Sequence, residues 1–377
     1  MAITRFAFPT PIHFGPGARR LVDDHLKGQG IARPLIVTDK GLAALPILAE
    51  FRALLAGLAV EVYAGVHGNP TKSQVSAGAA AFKAHRADCV IGFGGGAALD
   101  VAKAVALMAV HEGDVLEYAW DHPNVRPIVN PLPHFIALPT TSGTGSEVGR
   151  SSVISDDATH VKKIIFSPVL LAKAVFADPE LTLALPPAIT AATGLDALTH
   201  NVESYLSPAY HPLCDGIALE GARIAAAALV TAVREPGNLA ARSEMMMASI
   251  MGAIAFQKDL GAVHSCAHAL GTVADMHHGL ANGIMIDHVM RFNADAASAK
   301  MAELARVCGA GTTAADFVAW LAKLKSDVGI PARLGNAGVT AAQIPALVDV
   351  AVKDICHQTN PRPCAAEDFR RIFEAAI

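Results

Sequence analysis

Three things are scarce in this 377-residue sequence: positive charge in excess, aromatic side chains, and paired cysteines. Lys and Arg total 30 against 34 Asp and Glu, a net charge of -4. That balance gives no electrostatic footprint for nucleic acid and no polybasic patch for a membrane surface. The six cysteines (Cys89, Cys214, Cys266, Cys308, Cys356 and Cys364) are scattered, and none forms a CxxC pair. Neither a thiolate zinc site nor a disulfide framework is expected. The opening MAITRFAFPTPIHFG lacks a basic region followed by an apolar core, so no signal peptide is predicted. The longest apolar run, Met245 to Phe256, reads as too short to cross a bilayer. There is no internal repeat and no low-complexity linker. A soluble protein of the reducing cytoplasm is the default expectation.

What is present is a buried globular composition, 52% hydrophobic and 17% charged. The length suits two domains better than one core. The first half carries short β-rich runs ending in turn residues: PLIVTDKG, VEVYAGVHGNPT, CVIGFGGG, FIALPTTSGTG and AVFADPEL. Helical stretches such as Lys72 to His85 and Leu99 to Val110 lie between them. This alternation predicts an α/β domain with a parallel sheet. After about Pro186 the β-runs stop and Ala-, Leu- and Met-rich segments with helical spacing take over. The fold class expected is therefore α/β plus all-α. The boundary falls near DPELTLALPP (Asp178 to Pro187), giving a dinucleotide-binding domain over 1–184 and an all-helical domain over 185–377. Pro187 suits the first turn of a new helix.

Two glycine-rich loops follow strands. Ile91 to Asp100 reads IGFGGGAALD and opens a helix, where backbone N–H groups and the helix dipole favour a phosphate. Pro139 to Glu147 reads PTTSGTGSE, dense in hydroxyls and glycines. One such loop is equally a plain strand-to-helix turn; two together point to a nucleotide. The usual acidic ribose residue comes about 20 residues after the glycines. Here the best acidic candidate, Asp39, precedes them. Either it only caps the next helix or the nucleotide lies differently across the strands.

The second half holds a constellation of metal-ligand types. Asp196 and His200 stand at i, i+4 on one helix face, and His264 and His268 repeat that spacing. His277 and His278 follow in the stretch GAVHSCAHALGTVADMHHG, which holds four of the sixteen histidines. A carboxylate and three imidazoles suit a divalent first-row metal with an open position. Each histidine alone reads equally as a core residue bonded to a carbonyl. Spacing does not say which three bind.

With these motifs assembled, the chain resembles the iron-containing (group III) alcohol dehydrogenases essentially end to end. The resemblance rests on VTDKG, NPT, GGGxxxDxAK (Gly94 to Lys103), PTTSGTGSEV, DPELT, AATGLDALTHNVESY, AFQKDLGAVHSCAHALG, HHGLANG and NPR (Asn360 to Arg362). It implies a metal, Fe²⁺ by family habit, held by Asp196, His200, His264 and His278; the donors equally suit Zn²⁺, Mn²⁺ or Ni²⁺. His268 then lies beside nicotinamide and substrate, as a proton relay or as a wall of the pocket. His277 stands where the family often has proline and is not expected to bind.

For NAD, the resemblance assigns Gly95, Gly96 and Asp100 to the pyrophosphate, and Thr140, Thr141 and Ser142 to adenine and phosphate. Asn69, Thr144, Val153 and Lys162 fall along the ribose and nicotinamide, and Asp39 at the adenine ribose, where a carboxylate disfavours NADP. Ala97 replaces a common Ser, a loss of about 1 kcal/mol if one phosphate hydrogen bond goes missing.

The implied reaction is hydride exchange between an alcohol carbon and nicotinamide, with the metal stabilising alkoxide character on the substrate oxygen. The implied substrate pocket includes Gly149, Ser151, Phe256 and Cys356. Arg150 and His357 lie next to these. Arg150 reads either as one half of a surface or interdomain ion pair, or as a clamp for an anionic substrate end. The clamp would favour an ω-hydroxy acid such as 4-hydroxybutyrate, and the run from SGTGSEV to Arg150 and CHxTNP look similar to the 4-hydroxybutyrate dehydrogenases of the family. The family also implies a homodimer acting on small alcohols and aldehydes. Rival expectations are a maleylacetate-reductase-like or cyclising enzyme of the same superfamily, and a silent nucleotide-binding protein.

Overall fold

The computed structural model describes residues 10–377. The first nine residues, which carry the start of the expected leaderless N-terminus and of N-terminal dimerising β-structure, lie outside the described residues. The chain forms two compact units: residues 10–141 with Ser146–Thr182, and Leu183–Ile377 with Ser142–Gly145.

The first unit is built on a parallel six-stranded sheet. Its strands are β1 (Ile12–Phe14), β2 (Pro34–Asp39), β3 (Glu61–Val66), β4 (Cys89–Gly94), β5 (His134–Pro139) and β8 (Ala174–Ala177), in the order β1-β8-β5-β4-β2-β3. The central strands are apolar on both faces: every residue of β4 is buried. That continuous burial is what helices on both sides of a parallel sheet require. Helices α1 (Val22–Gly28), α2 (Lys40–Ala43), α3 (Pro46–Leu54), α4 (Lys72–His85) and α5 (Gly96–Val110) supply the cover. α4 has the predicted bounds. α5 begins three residues before the apolar pattern that predicted it, because glycine and alanine carry no periodic signal.

The sequence reading missed an antiparallel hairpin, β6 (Ser151–Ser155) and β7 (Lys162–Phe166). Its strands are short and partly exposed, so they lack the apolar run by which the core strands were recognised. β6 is tied back to the first unit by Ser155 N–H to the Pro70 carbonyl at 2.7 Å and by Val153 N–H to Asp100.

The second unit is all helical: α6 (Pro187–Leu206), α7 (Pro212–Arg234), α8 (Leu239–Ala255), α9 (Ala262–Ala274), α10 (His278–Asn293), α11 (Ser298–Val307), α12 (Ala314–Asp327), α13 (Ile344–Ala351) and α14 (Ala366–Ala376). Pro187 occupies the first turn of α6, where its missing N–H costs nothing. Alanine and glycine at the helix contacts allow close approach; a Cβ on Gly194 would fall 2.3 Å from Leu229 Cδ1.

One expectation needs correcting. The helical stretches Pro212–Arg234 and Leu239–Lys258 are long and apolar enough to cross a membrane, so the run Met245 to Phe256 understated the second. Half of the first window and slightly more of the second are buried. Their apolar faces pack on α6 and on each other.

Candidate functional site

α6 is the backbone of the helical site. Asp196, His200 and Glu203 stand at i, i+4 and i+7 on one face, and all three are buried. α9 brings His264, also buried, and one turn later His268, which is partly exposed. α9 ends at Asp275 in the left-handed region, φ 48°, which reverses the chain into α10. His277 is the N-cap of α10, its Nδ1 accepting from Leu280 N–H, so its imidazole serves the helix start. His278 is the first residue of α10 and turns toward Asp196.

The result is one cluster. Asp196, His200, His264 and His278 each present a donor atom, all within 4.8 Å of one another. Asp196 Oδ1 lies 3.9 Å from His200 Nε2, 3.9 Å from His264 Nε2 and 3.5 Å from His278 Nε2. These separations are too long for good hydrogen bonds. They match donors that share one cation, since ligands about 2.0–2.2 Å from a metal stand roughly 3–4 Å apart.

Charge points the same way. Among the described residues, no Lys or Arg lies within ion-pair distance of Asp196, Glu203 or Asp354; their partners are histidines. Burial pushes His200 down to about 4 despite the opposing charge of Asp196, so its imidazole is neutral at pH 7. A buried, anionic pocket lined by lone pairs is what a divalent cation would complete. The donor set fits a metal.

Three residues that the spacing argument did not single out support this cluster. Glu203 bonds His264 Nδ1 at 2.6 Å. Asn282, one turn after His278, donates to Asp196 Oδ1 at 2.7 Å and lies 3.2 Å from His278 Nε2. Asp354 pairs with His268 Nδ1 at 2.8 Å and also accepts from Ser265 Oγ and Cys356 N–H. Burial alone would raise the Asp354 carboxyl; the His268 imidazole and these hydrogen bonds hold it far below its ordinary value. Glu203 and Asn282 carried a signal: each continues the helical face of a suspected ligand. Asp354 carried none, since only the tertiary fold brings it to α9.

The helices are held at this spacing by glycine. A Cβ on Gly279 would fall 2.5 Å from the Ala192 carbonyl oxygen of α6. Gly279→Ala is therefore expected to push α10, and His278 with it, away from α6. The expected cost is about 1–3 kcal/mol of stability together with weaker metal binding, read by thermal unfolding and metal titration.

Of the expected pocket residues in this unit, Phe256 packs on His200 with ring centroids 5.3 Å apart. Cys356 lies with His268 and Asp354, their donor atoms within 4.8 Å. Burial raises its thiol well above the ordinary range, so it is a small neutral wall. His357 bonds the Val352 carbonyl and packs edge-on against Phe369.

In the first unit, β2, β4 and β5 end together, where parallel sheets bind ligands. Gly94 pairs with Pro139 across the ladder, and Thr140 N–H bonds the Gly94 carbonyl. Gly95 is the N-cap of α5 and no side chain caps it, so the first-turn amides, including that of Gly96, remain for an anion. A Cβ on Gly95 would press on Thr141 at 3.1 Å, and one on Gly94 would fall 2.7 Å from Ala98 Cβ and 3.5 Å from Asp39 Oδ2. This is a cradle that side chains would fill, and it fits a dinucleotide phosphate. Asp39 does cap α2, accepting from Leu42 N–H at 2.8 Å, and its other oxygen faces the glycine loop, so the two readings of Asp39 are compatible.

Asp100 is differently engaged. Its oxygens accept from Ser146 Oγ at 2.5 Å and Val153 N–H at 3.0 Å, which ties α5 to the hairpin. Lys162 pairs with Ser155 across the hairpin, and Ser155 reaches the turn after Asn69, so Asn69, Val153 and Lys162 are brought to one region. Ser142 and Thr144 cluster with the helical unit, where a Cβ on Gly143 would fall 2.8 Å from Thr193 Cβ and one on Gly145 2.1 Å from Ala253 Cβ. Gly149 leaves space beside Lys103 Nζ, and the Ser151 carbonyl accepts from that buried lysine. The Arg150 guanidinium lies 5.0 Å over the Phe166 ring, and no carboxylate pairs with it among the described residues.

Comparison with known proteins agrees with this chemistry. Residues 9–179 match the family model for iron-containing alcohol dehydrogenase, and residues 190–377 match its C-terminal counterpart. The chain is 39% identical to 4-hydroxybutyrate dehydrogenase of Cupriavidus necator, over 98% of both chains. A crystal structure of 1,3-propanediol oxidoreductase superposes with a TM-score of 0.95 at 36% identity, over 100% of both chains. Sulfoacetaldehyde reductase from Bifidobacterium kashiwanohense, solved with NAD⁺, gives 0.90 at 29%, over 100% of this chain and 99% of that one. The chain belongs to the iron-containing alcohol dehydrogenase family, oxidoreductases that interconvert alcohols and carbonyl compounds with NAD and iron or another divalent metal.

Proposed function

We propose that this enzyme interconverts an ω-hydroxy acid, such as 4-hydroxybutyrate, and its semialdehyde. The observation that carries the substrate class is Arg150. Its guanidinium carbon sits 5.0 Å over the Phe166 ring, a contact that restricts its rotamers and leaves N–H groups to meet a carboxylate. Gly149 and Ser151 beside it are small. Two relatives support the reading: one is named for 4-hydroxybutyrate, and another for sulfoacetaldehyde, which is also an anion.

In this reading Asp196, His200, His264 and His278 hold the metal, and the cradle at Gly95, Gly96, Thr140 and Thr141 holds NAD, with Asp39 disfavouring a 2′-phosphate. When bound, the metal supplies a Lewis acid for the substrate oxygen and NAD supplies the hydride acceptor. Asp354 keeps the proton of His268 on Nδ1, which leaves Nε2 to take a proton from the hydroxyl side of the substrate. Phe256 and Cys356 supply apolar walls that exclude water. The nucleotide half is taken as residues 1–184 and the metal half as 185–377. A homodimer in the cytoplasm completes the proposal.

Steady-state kinetics on 4-hydroxybutyrate and 1-butanol test the substrate class. Arg150→Ala is expected to lower kcat/KM for the hydroxy acid about 10–100-fold, the worth of a charge-assisted hydrogen bond. The value for 1-butanol should barely move. An unchanged ratio between the two substrates rejects the clamp and leaves a plain alcohol.

A further inference from the structure

We propose that Glu203 is a positioning residue of the metal site: it fixes the tautomer and the aim of His264. The proposal rests on the metal reading above and adds a residue to it.

Glu203 is buried on α6, one turn beyond His200. Its Oε1 accepts from Val263 N–H at 2.7 Å, and its Oε2 meets His264 Nδ1 at 2.6 Å. An ionised carboxylate can only accept, so the short contact places the imidazole proton on Nδ1. The lone pair is then on Nε2, the nitrogen that faces Asp196. A free neutral imidazole prefers neither the ring orientation nor the tautomer by enough to guarantee this; a carboxylate behind the ring imposes both.

The surroundings commit Glu203 to this task. Among the described residues no Lys or Arg lies within ion-pair distance of it, and the one basic side chain it meets is His264. The start of α9 receives the carboxylate through Val263 N–H, while Ala262 N–H goes to Asn360 Oδ1. Gly261 completes the fit: a Cβ there would fall 2.6 Å from Glu203 Oε1, so only glycine lets α9 close on the carboxylate.

Glu203→Gln is the informative variant. Its amide has one oxygen for the donors that two carboxylate oxygens now share, Val263 N–H on one and the His264 Nδ1–H and backbone N–H on the other. If the oxygen keeps Val263 N–H, the NH₂ faces Nδ1 and drives the proton to Nε2, which blocks the ligand. If it turns to His264, the NH₂ collides with Val263 N–H. The experiment is chelator-competition titration of Co²⁺ into metal-free protein, with thermal unfolding of that same metal-free protein. The expected result is Co²⁺ binding weakened about 10–100-fold with helical circular dichroism retained.

Co²⁺ affinity within twofold of the parent overturns the proposal, whether or not the melting temperature falls, because a structural role alone would lower only the latter. Should the variant not fold, ¹⁵N-histidine NMR of the unaltered metal-free protein decides, with His264 assigned through His264→Asn. An Nδ1–H tautomer supports the proposal and an Nε2–H tautomer overturns it. Asp196→Ala separates the two levels. If it abolishes Co²⁺ binding while Glu203→Gln does not, only the positioning role fails. If Asp196→Ala still binds Co²⁺ like the parent, the metal reading falls and this inference with it.

Discussion

Replacing His264 or His278 with Ala is expected to remove bound metal and turnover together. Each supplies one of the three nitrogens that converge on Asp196 Oδ1. Losing one leaves two imidazoles and a carboxylate, and it also opens a polar void in a packed helical core. Loss of a partner one shell further out already costs roughly 10–100-fold in metal affinity, so loss of a ligand should cost more. Metal content by mass spectrometry and NADH formation at 340 nm should fall in step on the same sample. Normal turnover with stoichiometric metal after either change rejects the ligand set. His277→Ala is the matched control, since His277 caps α10 and lies in the same stretch. It should keep its metal and lose roughly 1 kcal/mol of stability, the worth of an N-cap.

His268→Ala separates chemistry from binding. His268 stacks on His278 with ring centroids 5.4 Å apart, yet it falls outside the four-donor cluster and is bonded to Asp354. The variant should hold metal at the parent level and lose about 10²–10⁴ in kcat, the range for a positioned acid–base group. Asp354→Asn should move in the same direction for another reason. An amide NH₂ facing Nδ1 selects the other tautomer and leaves Nε2 protonated, unable to accept. The measurement is kcat against pH with metal content on each sample. A kcat unchanged across pH in His268→Ala sinks the relay and leaves His268 as a wall of the pocket. Loss of metal in that variant would instead move His268 into the ligand set.

Much of the fold was legible because its signals are local. The β4 and β5 runs are apolar throughout, as a two-sided parallel sheet demands, and α4 is bounded by a pattern of period 3.6. The hairpin of β6 and β7 was not legible, since each strand has only five residues and mixes intermediate with buried positions in no regular apolar alternation. The site divides in the same manner. Asp196 with His200, and His264 with His268, are pairs one helical turn apart, so spacing alone put each pair on a common face. Nothing local distinguishes His268 from His264, or His277 from His278. Resemblance to a family separated them, and the fold gives them different partners: His277 caps the start of α10, and His268 bonds Asp354.

The sequence by itself determined the two architectures, the glycine loops at the strand ends, and a carboxylate and histidines on helical faces. These follow from periodicity and from the conformational freedom of glycine, which act over a few residues. Only the tertiary structure decided what stands behind each ring. Glu203 against His264, Asn282 against Asp196 and Asp354 against His268 lie 61, 86 and 86 residues apart in the chain. Such contacts are fixed by how α6, α9, α10 and the segment after α13 pack. Packing is set by the summed shape of the whole helical core, in which no single segment holds the answer.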